Sequence, residues 1–319
     1  MTIDLSYRPR LSDLSQLGGP AEAFSEAEAR RELESVEARR HPQRTPPANF
    51  TGRAGYADDF LGFVVPLPTP LSELKRYVAS VSGSTEGRLD YEHFSVVMHS
   101  ARRLAMFVAV NIDGAQPVDI ERKDDRWFLD GRIADEFQIG EDLYVDNILD
   151  RGHLVRRQDP VWGHSAETAN NDTFHFTNCS PQAANFNQKT WLSLEDYVLS
   201  NAKAQDAKVT VFTGPLFRDS DRTYRGVQIP TAYWKVLSFV DEAGRPSSTA
   251  YIVDQVSELK HLEAVFGAYK TYQRSVASIE RMTGLSFNGL ADFDGFSNEE
   301  AATRTTIIAE LRSPADIRV

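Results

Sequence analysis

Two neighbouring segments limit the fold most strongly: FSVVMHS at residues 94–100 and RLAMFVAVNID at residues 103–113. Both are rich in β-branched and aromatic residues, and only two residues separate them, so they read as a buried hairpin. A chain of 319 residues is long enough to build a full core around it. Further strands are expected at TFHFTNCS (173–180), at KVTVFTGPLF (208–217) ending in a Gly-Pro turn, at TAYWKVLSFVD (231–241) and at STAYIVDQ (248–255).

Helical periodicity appears in FNQKTWLSLEDYVLSNAKA (186–204), where residues 191, 194, 197 and 198 are apolar. HLEAVFGAY (261–269) and VASIERMTGL (276–285) also read as helices, the second stopped by Gly284. Strands and helices do not alternate regularly. The order therefore favours an α+β fold, with a mixed or antiparallel central sheet flanked by helices, over a doubly wound parallel sheet. The acidic stretch ADFDGFSNEEAATRTT (291–306) reads as surface.

The first part of the chain differs. AEAFSEAEARRELESVEARR (21–40) places Glu and Arg at helical spacing with few large apolar residues, the pattern of a solvent-facing helix laced with ion pairs. HPQRTPPANFTGRAG (41–55) then interrupts it with three prolines. Residues 1–57 are read as an arm and linker, and residues 58–319 as a single domain.

No run of about 18 apolar residues exists, so no transmembrane helix is expected. MTIDLSYRPRLSDLSQLGG lacks the apolar core of a secretory signal. The expectation is a cytoplasmic protein with no membrane partner, with export by a route without a cleaved signal left open. The net charge of -11 counts against a broad nucleic-acid-coating face, but not against a small basic cleft.

Such a cluster exists. DRGHLVRRQDPVWG (150–163) gathers three arginines and a histidine. His153 has the side chain best suited to take a proton from water near neutral pH. Gly152 permits close backbone approach, and Arg151 offers a fork for phosphate oxygens. Asn187 lies 34 residues downstream and Glu195 eight further on, with Trp191 midway. On a helix these positions drift by only about 40° per step, so a carbonyl oxygen and a carboxylate share one face, which suits a magnesium ion that keeps most of its waters.

The ordered set DRGH, TNCSPQ, FNQ followed by W and LE, then VFTGP resembles the DNA/RNA non-specific endonucleases, of the Serratia nuclease and endonuclease G type, and most closely their bacterial branch. The resemblance runs from about Tyr91 to about Leu285. It implies a ββα-metal (His-Me finger) core and hydrolysis of DNA and RNA. It also implies the residue roles: His153 as general base, Asn187 as the protein ligand of Mg²⁺ (with Mn²⁺ as a substitute) and Glu195 as the orienter of metal-bound waters. Arg151 falls near the phosphate, and Asp150 braces the loop. An upstream arginine belongs to the pattern, and ERKDDRWFLDGRI (121–133) offers Arg122 and Arg126.

One position departs. Four residues beyond the helix glutamate, where the family carries an arginine, stands Leu199; Arg156 and Arg157 are the candidates to replace it as substrate-binding cations. Residues 1–50 are left as a surface for a second copy or a regulatory partner. The alternative function is a gated member, inactive or binding-only until that arm is engaged. Cys179 is the only cysteine, which excludes an internal disulfide. As a nucleophile it would need an activating base, with His175 the nearest in sequence; a packed thiol is the simpler reading. His164 and His175 lack the ligand spacing of a zinc site.

Overall fold

The computed structural model describes residues 43–121, 126–145, 149–183, 202, 206–255, 269–311 and 316–317. The helix expected at 21–40 and most of those at 186–204 and 261–269 lie outside the described residues, as do Arg122, Asn187, Glu195 and Leu199. Two compact units are distinguished, Met1–His41 and Pro42–Val319.

In the second unit, strands β1 (Arg88–Tyr91), β2 (Phe94–His99) and β3 (Leu104–Asp113) open the main sheet. Strand β4 (Leu149–His153) pairs with β5 (Cys179–Ala183) in a separate two-stranded ribbon, and helix α1 (Ala166–Asp172) lies in their connection. The main sheet resumes with β6 (Lys208–Pro215). A small hairpin follows, β7 (Arg222–Tyr224) and β8 (Val227–Ile229), and then β9 (Ala232–Val240), β10 (Pro246–Gln255) and β11 (Tyr269–Arg274). Helices α2 (Val276–Thr283) and α3 (Gly295–Thr303) precede the last strand, β12 (Ala309–Leu311).

Eight of these strands form one antiparallel sheet in the order β12-β11-β10-β9-β6-β3-β2-β1. The α+β expectation and the hairpin at 94–113 are both found here. The pleat sends Val108, Val110 and Ile112 of β3, with Tyr233 and Leu237 of β9, into one apolar cluster. Phe107 and Ala109, with Ala232, Trp234 and Val236, go into the cluster on the opposite face. Covering both faces explains why β2 and β3 are buried along their length, and why β3 is apolar from Leu104 to Val110 instead of alternating. Helix α2 covers the second cluster with Val276 and Ile279. Ser275 caps it by accepting from the Ser278 amide, and Gly284 ends it in the left-handed region at φ 70°, as its sequence position predicts.

Four local readings differ. Gly214 and Pro215 do not turn; they continue β6, paired with Trp234 and Tyr233, and a Cβ at Gly214 would lie 2.7 Å from the Met106 carbonyl. TFHFTNCS is not a continuous strand, because a 3-10 turn at Phe176–Asn178 precedes β5. In the acidic stretch 291–306, Asp294 and Glu300 are buried: Asp294 caps α3 and also accepts from the Val276 amide, and Glu300 accepts from the Ser275 hydroxyl and the Ile307 amide. Residues 43–57, proline-rich and read as linker, are bound into the body. Phe50 is buried edge-on to Tyr91 beneath the Arg132 guanidinium, and Arg53 pairs with buried Asp172 at 2.7 Å. Composition hid these anchors because they are single residues among prolines and polar groups.

Candidate active site

The ribbon holds the start of the basic cluster, Asp150 to His153. Its register sets His153 opposite Cys179, Gly152 opposite Ser180, Arg151 opposite Pro181 and Asp150 opposite Gln182. Side chains alternate along a strand, so His153, Arg151 and Leu149 share one face and Gly152 and Asp150 the other. On the second face the ladder is tight at Gly152, where a Cβ would fall 2.0 Å from the Gln182 amide oxygen. The close approach that the glycine permits is therefore to Gln182 of the partner strand.

His153 is half-buried at the end of β4. Its ring lies 4.6 Å from Trp127 and 5.1 Å edge-on from Phe174, two apolar walls that restrict its orientation. The backbone just beyond it is fixed by Asn178. That amide oxygen accepts from Val155 N at 2.8 Å, and its nitrogen donates to the carbonyls of Val155 and Thr173, both at 3.0 Å. Every one of these groups is buried, where an unmade hydrogen bond costs most. Tyr233 of β9 ties the ribbon to the main sheet, with its hydroxyl 2.9 Å from Ser180 Oγ and donating to the Pro181 carbonyl at 2.8 Å.

The Arg151 fork is bidentate to Glu141, with Nε 3.0 Å from Oε2 and Nη2 bonded to Oε1. The Tyr144 ring lies 5.6 Å from the guanidinium carbon. Burial pushes the Asp150 carboxyl above its ordinary range, and neighbouring Arg151 opposes that shift. Arg156 is half-buried, and its carbonyl accepts from the Asp159 amide. Arg157 donates to the Ile120 carbonyl at 3.1 Å and to Asn170 of α1 at 2.9 Å, bracing the loop from within. Arg126 is exposed, next in sequence to the Trp127 that walls His153. The described part of the candidate site thus places His153 and Arg151 on one face of β4 with Trp127 against His153, while Asp150 lies on the other face.

Cys179 is a packed thiol. Burial pushes it up to about 12, and it donates to the Tyr144 hydroxyl at 3.2 Å. His175 serves elsewhere, bonded to the Asp172 carbonyl and Thr45 Oγ1, each at 2.9 Å. Among the described residues, no group of three or more His, Cys, Asp or Glu is placed to hold a metal ion.

The DPVWG tail anchors the loop on the sheet. The Pro160 carbonyl accepts from His93 Nδ1 at 2.8 Å, and Trp162 donates to the Asn111 carbonyl at 2.9 Å. Trp162 also stacks on His93 with ring centroids 3.5 Å apart, and Gly163 turns the chain at φ 65°.

The sequence profile of the DNA/RNA non-specific endonucleases matches residues 72–293. The chain belongs to the DNA/RNA non-specific endonuclease family. The matched region contains the whole ribbon. Among curated relatives, the chain is 40% identical over 307 residues to protein y4fB of Sinorhizobium fredii, covering 88% of this chain and 46% of that protein. It is 31% identical over 161 residues to mitochondrial endonuclease G of Bos taurus, covering 45% of this chain and 49% of that one. The chain thus spans about half the length of these relatives. A crystal structure of an EndoG/EndoGI complex shares the fold, at a TM-score of 0.50 and 18% identity, over 70% of this chain and 93% of that chain.

Glu141, Tyr144 and the bracing role of Asn178 were not singled out in the sequence. Asn178 sits in the quoted TNCSPQ stretch, so a signal existed for it. Glu141 and Tyr144 had none: EDLY reads as an ordinary acidic turn until its contacts with Arg151 and Cys179 are seen.

Proposed function

We propose that this chain is a Mg²⁺-dependent endonuclease that hydrolyses phosphodiester bonds of DNA and RNA without reading base sequence. The observation that carries the reading is the family match running across the ribbon that presents His153 between Trp127 and Phe174.

His153 acts as general base. Its neutral imidazole takes a proton as a water oxygen attacks phosphorus, and the phosphorus–oxygen bond in line with the attack breaks. Arg151 supplies charge beside the phosphate. Its Nε and Nη2 are held by Glu141, and the Nη1 N–H groups complete the guanidinium's five donors. By the family resemblance, the Asn187 amide oxygen would be the protein ligand of the ion and the Glu195 carboxylate would orient its coordinated water, and oxygen donors of this kind suit a hard ion. When bound, the ion supplies Lewis-acid relief of the charge that develops on the phosphoryl and leaving oxygens. None of these groups reads a base edge, and phosphate contacts alone carry no sequence information. The net charge of -11 confines nucleic-acid contact to the local cluster.

Metal removal tests this reading. The protein, stripped with EDTA and re-supplied with MgCl₂, is given supercoiled plasmid and a structured RNA. Cleavage of both is expected only after Mg²⁺ returns. Undiminished cleavage in EDTA, or none with Mg²⁺, would contradict it.

A further inference from the structure

Arg225 occupies a backbone position that its side-chain type does not favour. It and Gly226 are the two central residues of the β7–β8 turn, at φ 48° and 75°. Two left-handed residues in a two-residue turn define the type I′ hairpin, whose first central position prefers Asn, Asp or Gly. The side chain makes up for the misfit by what it reaches. Arg225 Nη1 donates to the Asp142 carbonyl at 2.8 Å and to the Val145 carbonyl at 2.7 Å.

Those two carbonyls belong to the turn 141–145, which is the cradle of Arg151. Its Glu141 carboxylate holds the Arg151 fork, and its Tyr144 ring lies beneath the same guanidinium. The Tyr144 hydroxyl accepts from Cys179, the register partner of His153. Val227 of the β7–β8 hairpin, with Tyr224 and Ile229 at its edge, packs in one apolar cluster with Tyr144, Leu149 and Cys179. Two contacts therefore join the hairpin to the cradle: an apolar one that excludes water and the Arg225 clamp, which fixes the backbone directly.

We infer that Arg225 is a positioning residue. By clamping turn 141–145 it holds Glu141 and Tyr144 against Arg151, and so sets the height of the Arg151 guanidinium beside His153. This rests on the nuclease reading above. A remote clamp of this kind acts on the rate of the chemical step, because small displacements of a charge-stabilising group cost rate steeply while leaving substrate capture intact.

The substitution Arg225→Asn separates the roles, because Asn suits the left-handed position better than Arg while it cannot reach the two carbonyls. Steady-state cleavage of a defined DNA duplex and thermal unfolding are measured for the wild type, R225N, R225K and H153A. A wild type that does not cleave, or an H153A that cleaves as well as wild type, refutes the nuclease reading and this inference with it. With that control in order, R225N is expected to lose at least about tenfold in kcat with KM within about twofold. Its Tm is expected to be unchanged or raised, and R225K, which keeps an ammonium donor for the carbonyls, to recover part of kcat. The inference is overturned if R225N keeps wild-type kcat. It is equally overturned if KM rises at constant kcat with a flatter salt dependence, which would make Arg225 a phosphate contact, or if a fall in Tm accounts for the lost activity.

Discussion

The eight-stranded sheet and the β4–β5 ribbon are both antiparallel, yet different interactions hold them. In the sheet, β3 is buried along its full length, and its two faces feed two apolar clusters. Burial of large side chains such as Phe212 and Trp234 stabilises it, each by about 2–3 kcal/mol. The ribbon reads LDRGH against CSPQA, and it has few apolar side chains to bury. Side-chain hydrogen bonds hold it instead: Asn178 to the Val155 backbone, Tyr233 to Ser180 and Pro181, and Glu141 to Arg151. The contrast teaches a division of labour. An apolar sheet tolerates local change without altering the position of any one polar group. A ribbon pinned by individual bonds fixes each side chain separately, so on the proposed reading single losses there lower the cleavage rate as well as the stability.

That contrast can be broken from either side. Phe212→Ala strikes the sheet where Phe212 meets Tyr56 and Phe287. It is expected to cost about 3–5 kcal/mol in chemical denaturation, with the rate per folded molecule unchanged. A loss below about 1 kcal/mol would mean that packing is not what holds the sheet. Asn178→Ala strikes the ribbon. It leaves Val155 N and two buried carbonyls without their partner, at an expected cost of about 2 kcal/mol. Here the cleavage rate should fall as well, by about tenfold, because Val155 follows His153 by two residues. Retention of full activity in N178A would show that the ribbon is not held bond by bond.

The two regions were legible in the sequence for different reasons. The sheet announced itself through FSVVMHS and RLAMFVAVNID, because burial on both faces favours runs such as Leu104–Val110 that are apolar without alternation. The end of α2 at Gly284 was equally plain, because a left-handed cap is a local demand. Gly214-Pro215 misled because the same dipeptide serves a turn and a strand end. What admits it to β6 is the close packing of Trp234 and Met106, which is a long-range fact. His153 and Arg151 were legible as a local motif. Glu141 was not, since it lies ten residues before Arg151 with no periodicity to link them. The role of DPVWG was hidden for the same reason: its partners His93 and Asn111 are 67 and 51 residues away from Pro160 and Trp162.

The central claim is that the ribbon carries the chemistry while the sheet carries the stability, and His153→Ala tests it most directly. Single-turnover cleavage of a defined duplex in Mg²⁺ is compared with thermal unfolding of the same preparations. The rate is expected to fall by at least about 100-fold, the usual contribution of a positioned general base, while Tm stays within about 2 °C of wild type. A substituted protein that cleaves within about threefold of wild type, with the same Tm, would contradict the account.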